Sequence, residues 1–182
     1  TWGLPGRIHA MNAAAAAAVV TGARGCIAPE FVAKGLEGVA LPSMRFEQQQ
    51  IGGVYWINDA YNANPDSARA GVETFLEVSS SRRNGRRFLV LGDMLELGDK
   101  QRGFHTRLLR WCRRRCPDCI VIAVGEIMGE AAARLDGVDH VPDSTQAGEM
   151  LRDLVRPGDW VFLKGSRAMH MEAVLARAGE KR

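Results

Sequence analysis

Val54-Tyr55-Trp56-Ile57-Asn58-Asp59-Ala60-Tyr61-Asn62-Ala63-Asn64-Pro65-Asp66-Ser67 runs from an apolar and aromatic stretch, through a polar loop, into a helix start. Residues 54–58 have the β-branched and aromatic content of a strand. Asn64 can accept an orphan N–H of the first helical turn, and Pro65 presets the φ that turn needs, so a helix is expected over 65–78. The same step recurs downstream. Apolar runs at 88–91, 119–124 and 160–163 read as buried strands, and residues 140–141 close a short one. They alternate with helices expected at 101–115, 126–135, 144–155 (capped by Asp143 or Ser144) and 169–178. This alternation predicts an α/β fold with a mainly parallel sheet flanked by helices. Residues 45–50 and 54–58 enclose Gly52-Gly53, so the sheet is expected to open with a β-hairpin.

Upstream of the hairpin the composition changes. Residues 12–21 are alanine-rich and close on Gly22, which predicts a helix with a glycine cap. A second short helix is expected over 29–34, with Pro29 at its start and Gly35 after it. Gly38, Pro42 and Ser43 then form a loop, and a domain boundary is placed near residue 43, separating 1–43 from 44–182. Thr1-Trp2-Gly3-Leu4-Pro5 has neither an initiator methionine nor a leader, and reads as a cut inside a longer protein.

The bulk numbers remove several function classes. A net charge of +3 over 182 residues is too small to argue for nucleic acid or an anionic membrane. The longest apolar run, 13–20, is far short of the roughly 20 residues that span a bilayer. Cys26, Cys112, Cys116 and Cys119 lack the paired spacing of a structural zinc site, so reduced thiols and no metal site are expected. No G-x-x-x-x-G-K-[ST] phosphate loop occurs.

Ligands of open parallel sheets bind outside the carboxyl ends of the strands. Three strands here end in polar residues: 54–58 in Asp59 and its loop, 88–91 in Gly92-Asp93, and 160–163 in Lys164-Gly165-Ser166-Arg167. Lys164 and Arg167 could bind carboxylate or phosphate, arginine being the better bidentate partner. Asp93 and Glu96 could hold a metal or orient an amine, or be solvated loop acids. Asn64-Pro65-Asp66-Ser67 alone reads as a helix cap, whose exposed first-turn N–H groups would also favour an anion. His105 reads as a capping or surface residue. Arg110, Arg113, Arg114 and Arg115 read as complements to a helix C-terminus.

Three passages together resemble the Mur ligases: 58–67, Leu91-Gly92-Asp93-Met94-Leu95-Glu96-Leu97-Gly98, and Lys164-Gly165-Ser166-Arg167-Ala168-Met169-His170-Met171-Glu172. Residues 6–16 add a weaker match. The resemblance implies the tail of a central ATPase domain followed by a whole Rossmann-like C-terminal domain. It implies ATP and Mg2+, with the magnesium ligands outside this chain, and the substrates UDP-muramoyl tripeptide and D-alanyl-D-alanine. It also implies a cytoplasmic monomer, and no catalytic residue inside these 182 residues. By motif position it implies nucleotide contacts for Asn12, Arg45 and Asp59, and substrate contacts for Tyr61, Asn62, Asn64, Lys164, Ser166 and Arg167. The chain departs from the family at Ile8-His9, where His-Asn is usual, and at Asn58, where the first of two acids is usual. Sister ligases for D-glutamate, diamino acids, folylpolyglutamate or cyanophycin, and a stand-alone α/β binding module, are the alternative readings.

Overall fold

The computed structural model describes residues 6–22, 27–80 and 85–179. The start at 1–5 and Cys26, both considered above, lie outside these residues. The chain resolves into two compact units, Thr1–Pro42 and Ser43–Arg182.

The first unit contains helices α1 (Arg7–Gly22) and α2 (Pro29–Glu37). Both are longer than expected. α2 runs through Gly35, whose helical cost of about 1 kcal/mol is tolerated, and closes on Gly38, whose N–H donates to the carbonyl of Leu36.

The second unit is a six-stranded sheet in the order β1-β2-β6-β3-β4-β5. Its strands are β1 (Glu47–Ile51), β2 (Val54–Asn58), β3 (Arg87–Gly92), β4 (Ile120–Val124), β5 (Val138–Val141) and β6 (Trp160–Lys164). Only β1 is antiparallel, to β2; the other five strands are parallel. Ile51 pairs with Val54, leaving Gly52 (φ 61°) and Gly53 (φ 81°) as the two-residue turn whose positive φ values favour glycine. β1 starts two residues later than expected, because Met44 and Phe46 take left-handed φ and Arg45 lies in a turn between them.

Helices α3 (Pro65–Ser80), α4 (Gln101–Arg115), α5 (Glu126–Ala132), α6 (Ser144–Leu154) and α7 (Glu172–Gly179) cover the sheet. The strand period of two sorts the core. Val161 and Leu163 of β6 join Val54, Trp56, Val90 and Val124 under Ala147 and Leu151 of α6 and Val174 of α7. Phe162, between them, points to the other face and meets Phe75 of α3 at 5.5 Å between ring centroids. Gly71 allows that approach, since a Cβ there would come within 2.7 Å of the Phe162 ring. Fully burying a side chain of this size contributes about 2–3 kcal/mol.

Two helices differ from expectation for local reasons. α5 stops at Ala132 because the last turn tightens, with Leu135 donating to the carbonyl of Ala132. α7 begins at Glu172 rather than 169. Arg167–Met169 form a 3-10 turn and His170 is left-handed, which drives Met171 into the core. Met171 fits against Gly92 and Gly165, at each of which a Cβ would come within 3 Å of it.

Candidate functional site at the carboxyl edge of the sheet

β6 returns between β2 and β3, so the three strands with polar ends are direct neighbours. Asn58 is in register with Leu163, and Leu91 with Lys164. The loops at 59–64, 93–98 and 165–171 therefore leave one edge of the sheet.

Lys164 sits under this edge, 5% exposed. Its Nζ is 2.8 Å from Asp59 Oδ2 and donates to the carbonyls of Asp59 (3.0 Å) and Asn62 (2.8 Å). Asp59 Oδ1 accepts the N–H of Phe46 at 3.1 Å. A buried ammonium needs a counter-charge and further acceptors, and this site supplies both. Ser166 is buried as well; its Oγ accepts the N–H of Leu95 and its own N–H donates to the carbonyl of Asp93. A substrate group reaching Lys164 would have to displace these three acceptors, whereas the Ser166 oxygen accepts a single N–H.

The open groups form a rim above. Arg45 places its guanidinium 4.2 Å from the centroid of the Tyr61 ring, and both residues are exposed. Tyr61 N–H donates to the carbonyl of Met44, tying the 44–46 turn to the loop after β2. Arg167, also exposed, donates to Glu172 Oε1 at 2.8 Å and contacts Met44 Sδ at 3.3 Å. Burial would raise the Glu172 carboxyl, but its own backbone N–H, the Arg167 guanidinium and His170 outweigh it and hold the group below the usual carboxylate range. Asn62 is exposed, its side-chain oxygen accepting the N–H of Ala63. The edge thus gathers Arg45, Asp59, Tyr61, Asn62, Lys164, Ser166 and Arg167. Asn12 belongs to the other unit, on the exposed surface of α1.

Several residues singled out from sequence have structural duties. Asn64 and Ser67 make a reciprocal cap: Asn64 Oδ1 accepts Ser67 N–H at 2.8 Å, and Ser67 Oγ accepts Asn64 N–H at 3.1 Å. That cap, with Asp66 in the first turn, already satisfies part of the helix terminus that was expected to hold an anion. Asp93 accepts the N–H groups of Ile127 (3.2 Å) and Met128 (2.7 Å), so it caps α5 instead of facing a ligand. Gly125 is required there, because a Cβ would lie 2.6 Å from Asp93 Oδ2. Glu96 is exposed, with left-handed φ. His105 is fully buried, not at the surface. Arg113 reaches the carbonyls of Pro117 and Cys119 beyond the end of α4, as a helix C-terminal arginine should. The expectation of reduced thiols fails at one pair: Cys116 and Cys119 form a disulfide, because the turn after α4 brings their Cα atoms to 5.4 Å, while Cys112 stays a buried thiol.

Sequence reasoning missed the left-handed pair Met44 and Phe46, which frames Arg45. No sequence signal marks it, since neither residue is one that favours positive φ. It also missed that Asn58 is buried, with its Oδ1 accepting the N–H of Ala60 to start the loop. Among the described residues, no three His, Cys, Asp or Glu side chains converge on a point that could hold a metal ion. Chemically, the rim offers two guanidinium groups, an aromatic face and an amide, on the turn before β1 and the loops that leave β2 and β6. That set suits an anionic ligand with a planar or hydroxyl-bearing part.

Residues 44–167 match the family model of the Mur ligase, glutamate ligase domain. The chain is 35% identical over 184 residues to the UDP-N-acetylmuramoyl-tripeptide--D-alanyl-D-alanine ligase of Bacillus subtilis, covering 93% of this chain and 37% of that protein. Among solved structures, MurF from Acinetobacter baumannii superposes with a TM-score of 0.79 at 31% identity, over 97% of this chain and 38% of that one. MurF from Thermotoga maritima in complex with ADP gives 0.68 at 26% identity, over 89% and 36%. The chain thus spans less than two-fifths of the length of these relatives.

Proposed function

This chain belongs to the Mur ligase family, and on that premise we propose that it is the C-terminal part of an ATP-dependent ligase that joins D-alanyl-D-alanine to UDP-N-acetylmuramoyl tripeptide in peptidoglycan synthesis. The observation that carries the reading is the rim of Arg45, Tyr61 and Arg167 above the Asp59–Lys164 pair, in a chain similar over nearly its whole length to ligases so named. In the reaction, the tripeptide carboxylate is activated as its acyl phosphate. The dipeptide amine then attacks the carbonyl carbon, the carbon–oxygen bond to phosphate breaks, and the amine loses its proton. ADP and phosphate are released. Two anionic substrates must be brought together and water kept from the acyl phosphate, a task suited to a domain that closes on its partner.

In this reading, residues 1–43 are the tail of a central ATPase domain and 44–182 the closing domain. Asn12, in the first unit, and Arg45 and Asp59, in the second, are read as nucleotide contacts. Tyr61, Asn62 and Arg167 face the incoming dipeptide, while Asn64 sets the loop as a cap. The magnesium ligands are assigned to the rest of the ligase. The enzyme is read as a cytoplasmic monomer that needs neither nucleic acid nor membrane. No helix among the described residues is long and apolar enough to cross a membrane.

The test is a substrate screen on the full-length ligase carrying this sequence. ADP release should depend on both UDP-muramoyl tripeptide and D-alanyl-D-alanine, and the 182-residue chain alone should release none. ADP release driven by D-glutamate or a diamino acid in place of the dipeptide overturns the substrate assignment. Dipeptide-dependent release by the isolated chain overturns its role as a partial site.

A further inference from the structure

Lys164 is the cation of the carboxyl edge that is both deeply buried, at 5% exposed, and internally matched. Its Nζ meets Asp59 Oδ2 and two backbone carbonyls, those of Asp59 and Asn62. An ammonium has three N–H donors, and three acceptors lie within 3.0 Å. Asp59 passes the constraint on. Its other oxygen, Oδ1, holds the N–H of Phe46, a residue at φ 54°. Left-handed backbone at a bulky aromatic is strained and persists only where the surroundings dictate it. The dictating contacts are identifiable: Asp59 on the Phe46 N–H, Tyr61 N–H on the Met44 carbonyl, and the Phe46 ring 6.2 Å from that of Phe162. Between Met44 and Phe46 stands Arg45, whose guanidinium is aimed across the Tyr61 ring.

We infer that Lys164 is a positioning residue: from beneath the sheet edge it fixes Asp59 and the 59–62 loop, and through Asp59 it fixes the left-handed turn that presents Arg45 and Tyr61. The inference rests on the proposed function for which ligand the rim receives, but the clamp is a property of this chain alone. Lys164 makes no contact with substrate; it sets the entropy and geometry of the groups that do. Asp59 is likewise held on both oxygens before any ligand arrives, so its carboxylate is preorganised. Lys164 is a poor target for a dipeptide carboxylate, which would have to displace Asp59 from a buried ammonium.

The clamp is read first in the 182-residue chain, by amide and guanidinium NMR of Lys164→Met and Lys164→Gln, with Arg107→Gln on the exposed face of α4 as a control. Both Lys164 variants should shift the Phe46, Ala60 and Tyr61 amides and weaken the Arg45–Tyr61 ring contact, while core amides of β4 stay in place. An unmoved Phe46 amide and an intact Arg45–Tyr61 contact overturn the inference, whatever the enzyme turns out to join. In the full-length ligase, KM for ATP should rise about tenfold or more, as a misplacement near 1 Å can produce, and KM for the acceptor amine, which Tyr61 and Asn62 face, should rise along with it. The double variant with Arg45→Ala should be no worse than Arg45→Ala alone. A selective rise in the acceptor KM makes Lys164 a substrate ligand, and a lower melting temperature with both KM values unchanged makes it merely structural; either result overturns the positioning role. If Lys164→Met does not fold, Lys164→Gln, which keeps two donors, carries the same test.

Discussion

His105 Nε2 accepts the backbone N–H of Met94 at 2.8 Å, while its Nδ1 lies 2.7 Å from the carbonyl of Gln101 one turn back on α4. The two partners settle the tautomer: Nδ1 carries the proton and Nε2 the lone pair. The ring therefore ties the Gly92–Leu97 loop to the start of α4. Replacing it with leucine leaves a buried N–H without an acceptor, at a cost of about 1–3 kcal/mol. His105→Leu should lower stability by that amount in a denaturant titration, whereas His105→Gln, which keeps an acceptor, should lose less. Equal losses would mean that the hydrogen bond contributes little.

Asp159 contributes to acid stability. Burial alone would raise its pKa, but the Arg86 guanidinium at 2.6 Å and the N–H groups of Arg156 and Arg86 outweigh that and hold it below the ordinary carboxylate value. A carboxyl depressed in the folded state adds stability that is present above its unfolded pKa, about 3.9, and is lost as pH falls through the lower folded value. The melting temperature should therefore drop steeply below about pH 4, and Asp159→Asn should flatten that slope. At neutral pH the variant should be less stable by about 2 kcal/mol, since donors lose their charged acceptor. A variant with the parent pH slope would assign the acid transition elsewhere.

The three cysteines around the end of α4 should behave differently. The Cys116–Cys119 bridge closes a short loop with a sequence separation of 3, and loop-entropy arguments give it about 2 kcal/mol. A reductant should lower the melting temperature of the native chain and leave Cys116→Ser/Cys119→Ser unmoved. Burial pushes the Cys112 thiol up to about 12, against the pull of Arg69, so almost none is thiolate at pH 8. Iodoacetamide should leave Cys112 unlabelled in the folded chain, by mass spectrometry, and label it after unfolding. Labelling at the rate of a free thiol would contradict its burial.

Gly125 lies at φ 105°, with Asp93 Oδ2 2.6 Å from where a Cβ would stand. Gly125→Ala meets both backbone strain and a clash with the carboxylate that caps α5, for a combined loss of about 3 kcal/mol. Gly98→Ala shares a positive φ (62°) but has nothing within 4 Å, so it should cost about 1–2 kcal/mol, from strain alone. Equal losses in the two variants, measured by chemical denaturation, would show that the close approach to Asp93 adds nothing.

Much of the fold was legible in the sequence because it is set locally. Gly52-Gly53 dictates the hairpin turn, Asn64 and Pro65 dictate where α3 starts, and the apolar runs at 88–91 and 160–163 name their strands, all through propensities and hydrogen bonds within a few residues. The polar strand ends were legible for the same reason. What each polar residue does there was not. Asp93 and Asp59 both follow a strand, yet one caps a helix 35 residues on and the other meets a lysine 105 residues on. That difference depends on which strand lies alongside: β4 beside β3 brings the start of α5 to Asp93, and β6 beside β2 brings Lys164 to Asp59. Sequence alone thus determined the elements and the residues available at the sheet's edge. Tertiary structure decided which of them remain open to a ligand, because long-range burial places Lys164 beneath Asp59 and leaves Arg45, Tyr61 and Arg167 exposed above.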